Sequence, residues 1–279
     1  MLTQKETGLK IMGKPNNKSN NFHHKLSILN SQGGFSFLIQ SEDELIRLEH
    51  VESRSQSPED QLDQLKKTID EDFIINNHID QVKLIFDNKL FTNVPDMYFD
   101  KTQAAHYLKY NTELIPGDYI DHDHVKPFQM KVLYIPIINI YNYFIDLVGN
   151  VSYQHFLSAY LSAVDVPADV KESVFIHRYF DNCYILAFYQ GKCMLANRFQ
   201  IETDEDIAYY LLSCIEQLSF NRETLHLKVS GFINKTDKAY SYFYDYIKNI
   251  TFYKPVTSEK QFLSEITSHQ DTSLLCHYQ

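Results

Sequence analysis

The chain has 279 residues, enough for one large domain or two of ordinary size, and long enough to bury a proper core. Its 26 basic and 36 acidic residues give a formal net charge of −10. That balance argues against holding nucleic acid by general charge attraction, because phosphate contacts need Lys and Arg in excess.

Residues 1–22 are polar and rich in Asn and Lys, which predicts a disordered arm. Lys25 to Leu29 and Phe35 to Ile39 are short β-type runs. Asn30, Ser31, Gln32, Gly33 and Gly34 join them, and the glycines suit a hairpin turn. A third strand follows over Leu45 to Val51. Ser57, Pro58, Glu59 and Asp60 then make a helix start: a capping hydroxyl, a proline for the first turn, and acids for the positive end of the dipole. Leu62, Leu65, Ile69 and Phe73 fall at helical spacing on one predicted buried face. Val82 to Phe86 reads as the fourth strand, Asp100 as the cap of a helix over 101–110, and KVLYIPII (131–138) as a buried strand. A helix over Asn139 to Val148 is closed by Gly149. A short strand at Tyr153 to His155 and a helix over Phe156 to Val164 follow.

The stretch DVPADVKES (165–173) is polar and marks the domain boundary, with one lobe over 23–165 and a second over 171–279. The second lobe begins with three strands, VFIHRY, CYILAFYQ and KCMLANRFQI. Thr203, Asp204, Glu205 and Asp206 then repeat the capping pattern. Ile207, Leu211, Cys214 and Leu218 repeat the apolar stripe, and TLHLKVSG is a fourth strand. The order matches the first lobe, and the interval from first to fourth strand is similar, which predicts an internal duplication. A Tyr-rich helix over 236–249, a strand over 251–254, a helix over 257–267 and a strand over 273–277 complete the prediction.

On this element order, and on phrases such as KLSIL–GGFSFLI and VFIHRYFDNCYILAFYQGKCMLANRF, residues 24–255 resemble the duplicated ribonuclease-H-like architecture of the actin-like ATPase superfamily. More closely, the chain resembles an uncharacterised family, found mainly in Bacteroidetes, with an actin-like ATPase fold. The resemblance implies an α/β protein of two related lobes, mixed sheets flanked by helices, with a nucleotide held in the cleft between them. It further implies that each first hairpin turn cradles phosphate, and that an Asp ending each first strand places metal and water. A Gly pair after the fourth strand of the second lobe would let the backbone approach the adenosine. At these places the chain carries Asn30, Ser31, Gly33 and Gly34 in the first lobe, and His177, Ser230 and Gly231 in the second. They are the candidate cleft residues. The expected acids are absent: Asn30 and Ser31 replace one, His177 and Arg178 the other, and the second turn, YFDN, has no glycine. Losing both removes the hard oxygen ligands that magnesium needs. The expectation is a non-catalytic binding or scaffold protein with no cofactor and no metal, acting on a protein or small-molecule partner. The competing expectation is a divergent ATPase or phosphotransferase that binds nucleotide through other acids, such as Asp87 or Asp181.

Other candidates have plainer explanations. Asp118, Asp121, His122, Asp123 and His124 in DYIDHDH are metal-ligand types, but read as a solvated connector. His23 and His24 are expected at the surface, and His155 and His177 as hydrogen-bonded strand residues. Asp204, Glu205 and Asp206 are explained by their place at a helix start. Tyr240, Tyr242, Tyr244 and Tyr246 do not share one helical face, which argues for partial burial over base stacking. Cys183, Cys193, Cys214 and Cys276 form no CxxC pair and read as free thiols in a reducing compartment. With no signal-peptide-like start and no membrane-length apolar run, a cytoplasmic location and no membrane partner are expected. No GxSxG, P-loop, GxGxxG or HExxH pattern is present.

Overall fold

A computed structural model of the chain describes residues 23–41, 44–54, 57–254, 269 and 272. The predicted arm over 1–22, the helix over 257–267 and the strand over 273–277 lie outside these. The described chain packs into two compact units, one of residues 23–87 and 137–154, the other of 88–136 and 155–254 with 269 and 272.

The first unit opens with β1 (His24–Ser31), β2 (Gly34–Gln40) and β3 (Leu45–Glu52), an antiparallel meander. The β1 and β2 core runs are buried on both faces, which is why they read as continuous apolar stretches. α1 (Pro58–Thr68) starts as predicted, with Ser57 Oγ accepting from the Asp60 N–H at 3.1 Å. The single helix predicted from Leu62 to Phe73 is instead two. Asp70 accepts from the Phe73 N–H at 2.8 Å and starts α2 (Glu71–Asn76), so the chain turns at Ile69. The buried side chains are therefore Gln61, Leu65, Ile69 and Ile74, while Leu62 and Phe73 are half-buried. β4 (Ile79–Asp87) then runs parallel to β1, pairing Asn30 with Phe86 and Ser31 with Asp87.

Residues 88–136 form a three-stranded antiparallel sheet of β5 (Phe91–Pro95), β6 (Asp121–Val125) and β7 (Met130–Tyr134), in the order β5-β7-β6, with a short α3 (Ala104–Leu108) between β5 and β6. Here the structure corrects the sequence reading. DYIDHDH is mostly strand, because the β7 ladder supplies the pairing that Asp and His do not favour by themselves. KVLYIPII ends as strand at Tyr134, since Pro136 interrupts it and a helix begins at Ile138. The predicted helix over 101–110 is a 3₁₀ turn followed by α3, although Asp100 does cap it by accepting from the Thr102 N–H.

α4 (Ile138–Val148) ends at Gly149, whose φ of 76° is the left-handed stop that glycine favours. It packs on the first unit through the Tyr143 hydroxyl, which donates to the Ile69 carbonyl. β8 (Val151–His155) joins the first sheet, giving the order β3-β2-β1-β4-β8. α5 (Phe156–Ala163) is almost wholly buried.

The second unit's main sheet contains β9 (Glu172–Tyr179), β10 (Asn182–Tyr189), β11 (Lys192–Gln200), β12 (His226–Gly231) and β13 (Asn249–Phe252). Its order is β11-β10-β9-β12-β13, with an antiparallel meander β9-β10-β11 and β12 parallel to β9. The two five-stranded sheets thus share one order. α6 (Asp204–Gln217) carries a full capping box between Thr203 and Asp206, and buries Ile207, Leu211 and Cys214 as its spacing predicts. α7 (Lys238–Tyr246) buries Ala239 and Phe243; Tyr240 and Tyr242 are half-buried, Tyr244 and Tyr246 exposed. No helix among the described residues is long and apolar enough to cross a membrane.

Candidate functional site

The strand-end candidates fall into two sets, one per unit. In the first unit the hairpin register places Asn30 opposite Phe35 and Ser31 opposite Gly34. Asn30 is buried, and its Nδ2 donates to Gln61 Oε1 at 2.6 Å, so an α1 glutamine occupies the end of β1. The Ser31 Oγ accepts from the Gly33 N–H at 3.1 Å, and the Gly33 carbonyl accepts from the Ser53 N–H at 3.0 Å. A hydroxyl and an amide that a phosphate would need are thus bonded to each other. Gly34 closes the ladder against both Ser31 and Glu52. Asp87, beside Ser31 at the end of β4, is a buried carboxylate.

In the second unit, parallel pairing of β9 and β12 sets His177 beside Ser230 and Arg178 beside Gly231. His177 is fully buried, and its Nδ1 lies 2.9 Å from Ser230 Oγ. The Ser230 hydroxyl also lies 3.3 Å from the Ile176 carbonyl, to which it can donate. The Tyr160 hydroxyl approaches Ser230 Oγ at 3.4 Å, and the Phe156 and Tyr160 rings pack 5.1 and 5.2 Å from the imidazole. This is an aromatic box around a buried hydrogen-bonded pair.

Gly231 has φ 77°, and a Cβ there would sit 2.0 Å from the Arg178 carbonyl oxygen. That oxygen accepts from the Phe232 N–H at 2.8 Å. The glycine is thus explained by close backbone approach within the sheet end. Arg178 Nη1 pairs with Asp204 Oδ1 at 2.7 Å, and Asp204 Oδ2 accepts from the Ala239 N–H at the start of α7. In the YFDN turn Phe180 takes the left-handed region at φ 47° without a glycine. Edge-to-face contacts with Tyr179 and Phe232, ring centres 4.5 and 5.2 Å away, offset that strain. Asp181 Oδ2 accepts from Gln200 Nε2, and the Asp181 carbonyl from the Ile201 N–H.

Sequence reasoning missed Gln61, Tyr160 and the bridging role of Asp204. For Gln61 there was no cue. For Asp204 the helix-start explanation was sound but incomplete.

The five residues of DYIDHDH do not converge. Asp118 accepts from the Ile115 N–H, His124 Nε2 lies 2.7 Å from Asp96 Oδ2, and the His122 ring packs 4.8 Å from Phe99. Asp123 accepts from the His155 N–H at 2.8 Å and the Tyr134 hydroxyl at 3.1 Å. Burial pushes the Asp123 carboxyl above its ordinary value, against these hydrogen bonds, and burial likewise holds His122 low. Among the described residues no three His, Cys, Asp or Glu side chains are grouped to hold a metal ion. His23 is exposed and lies 2.8 Å from Asp80 Oδ2, while His24 Nδ1 bonds the Asn77 carbonyl. His155 is fully buried, with Nε2 3.1 Å from the Asn88 carbonyl and its ring on Phe91 and Tyr134. Cys183, Cys193 and Cys214 are free thiols, pushed by burial up to about 12, about 12 and about 11. They are protonated at neutral pH and are not nucleophiles.

The family model described as "Protein of unknown function (DUF3822)" matches residues 14–250. No curated protein matches the sequence. Among solved structures, the chain is similar to a Bacteroides thetaiotaomicron protein with actin-like ATPase fold and unknown function. That match has a TM-score of 0.74 and 18% identity, covering 95% of this chain and 100% of that one. It is also similar to a chain of a PilM–PilN type IV pilus biogenesis complex, at a TM-score of 0.58 and 12% identity, covering 90% and 96%.

Proposed function

The chain belongs to the DUF3822 family and has the actin-like ATPase fold, and from that premise we propose a non-catalytic binding or scaffold protein, a pseudo-ATPase working in the cytoplasm. The observation that carries the proposal is the bonding at the strand ends. Where the fold's chemistry calls for carboxylates and phosphate-binding groups, Asn30 is bonded to Gln61 and His177 to Ser230, all four buried. An amide and an imidazole are poor ligands for magnesium, which prefers hard oxygen donors such as carboxylates. Arg178 is held by Asp204 and so does not stand ready for phosphate. The shared strand order of the two sheets supports an internal duplication whose halves kept their architecture while these positions changed. A protein partner is favoured: a neighbour of this fold comes from a PilM–PilN complex.

The second reading is a divergent nucleotide-binding ATPase or phosphotransferase. Asp87 favours it, as a buried carboxylate beside Ser31 at the end of β4. Titrating ATP into the purified protein with magnesium, followed by phosphate release, tests the two. The scaffold proposal expects neither saturable binding nor release. Magnesium-dependent hydrolysis that disappears in Asp87→Asn would replace it with the second reading.

A further inference from the structure

A groove of about 310 Å³ lies on the second unit, and none of the strand-end candidates lines it. Pro95 ends β5, Pro127 and Phe128 belong to the turn before β7, and Met130 opens β7. The opposite wall is Lys192 and Cys193, at the start of β11. The walls are held in place. Asn93 Nδ2 donates to the Ala196 carbonyl at 2.7 Å, and the Phe128 ring lies 5.1 Å from Phe188. The Gln129 carbonyl accepts from the Asp96 N–H at 2.8 Å, fixing the β5–β7 end.

The lining decides the ligand class. Pro95, Phe128 and Met130 offer apolar surface. The Cys193 thiol is protonated, with Sγ directed to the Leu195 carbonyl at 3.6 Å, so it adds wall rather than reactivity. Lys192 is exposed and forms no ion pair among the described residues. The lining is mixed, with Gln129 and Lys192 beside the apolar side chains, and on a chain of net charge −10 an unpaired ammonium in that lining favours an anion. The volume is at the low end of the roughly 300–1,000 Å³ of small-molecule sites, which suits a small ligand better than a peptide.

We propose that this groove binds a small molecule with an apolar body and one carboxylate, the body against Pro95, Phe128 and Met130 and the carboxylate on Lys192 Nζ. The site is independent of the scaffold proposal and stands whether or not nucleotide binds elsewhere. Octanoate is the probe and octan-1-ol its uncharged counterpart, with binding followed by saturation-transfer NMR on the full chain. Octanoate is expected to bind at millimolar concentration, about two- to fivefold more tightly than octan-1-ol, as an ion pair with an exposed ammonium provides. Lys192→Gln should weaken octanoate about two- to fivefold and leave octan-1-ol unchanged. Met130→Trp, which fills the groove, should abolish both. Lys192 is exposed, so its variant tests the site even if Met130→Trp fails to fold. No octanoate binding, equal binding of the two probes, or unchanged octanoate binding in Lys192→Gln would overturn the proposal.

Discussion

Replacing Gly231 by alanine tests the close approach that ends β12. The position has φ 77°, and the new Cβ would lie 2.0 Å from the Arg178 carbonyl oxygen and 2.9 Å from the Arg178 nitrogen and carbonyl carbon. Left-handed backbone costs an L-residue about 1–2 kcal/mol. The clash is with backbone, which no rotamer change relieves, so the ends of β9 and β12 must separate at a further cost of about 1–3 kcal/mol. Separation would also stretch the Phe232 N–H to Arg178 carbonyl bond, now 2.8 Å. Gly191 in the same unit is the matched control. It has the same φ of 77° and nothing within 4 Å of its Cβ position, so Gly191→Ala should show the backbone cost alone. Thermal unfolding followed by far-UV circular dichroism reads the difference. At about 2–4 °C per kcal/mol, Gly231→Ala should melt several degrees below Gly191→Ala. Equal midpoints would refute the steric argument and leave only the glycine backbone preference.

Ser230→Ala removes the buried partner of His177 and should cost about 1–3 kcal/mol in urea unfolding, with non-additive coupling to His177→Ala; additive effects would deny the pair. Thr203→Ala breaks the α6 capping box and should cost about 0.5–2 kcal/mol, seen as faster amide exchange in the first turn of α6; unchanged exchange would count against it. Asp123 has a pKa raised in the folded state, chiefly by burial. The folded protein therefore binds that proton more tightly than the unfolded chain. The group's stabilising contribution is full below the ordinary carboxyl value and is lost as pH rises through the raised one. Asp123→Asn should flatten that decline in a series of urea unfolding curves across the acidic range, and an unchanged pH slope would contradict the assignment.

The parts of the fold legible in the sequence are those where one signal dominates. The β1–β2 and β9–β10 hairpins show as apolar runs around a turn, and α1 and α6 as capped stripes. The three-stranded sheet was not legible. β6 is built of Asp and His, whose strand state depends on the ladder with β7 and on Asp123 holding the His155 amide and the Tyr134 hydroxyl. The break between α1 and α2 does have a local signal, since Asp70 followed by Glu71 and Asp72 is a second helix start. At the strand ends, the missing acids were visible as residue types, but what replaced them was not. Ser230 meets His177 only through the β9–β12 register, and Gln61 reaches Asn30 across 31 positions. Such pairings belong to tertiary packing and leave no local pattern.

On the scaffold proposal the strand ends are bonded internally and do not serve a nucleotide. Thermal unfolding of the full chain with millimolar ATP or ADP, each with and without magnesium, tests this. A ligand bound to the folded state at about 100 times its dissociation constant adds about 2.7 kcal/mol, a shift of roughly 5–10 °C. The scaffold account predicts the same midpoint in all five conditions, the unliganded protein included. A magnesium-dependent rise with either nucleotide would contradict it and return Asp87 to the centre of a working site.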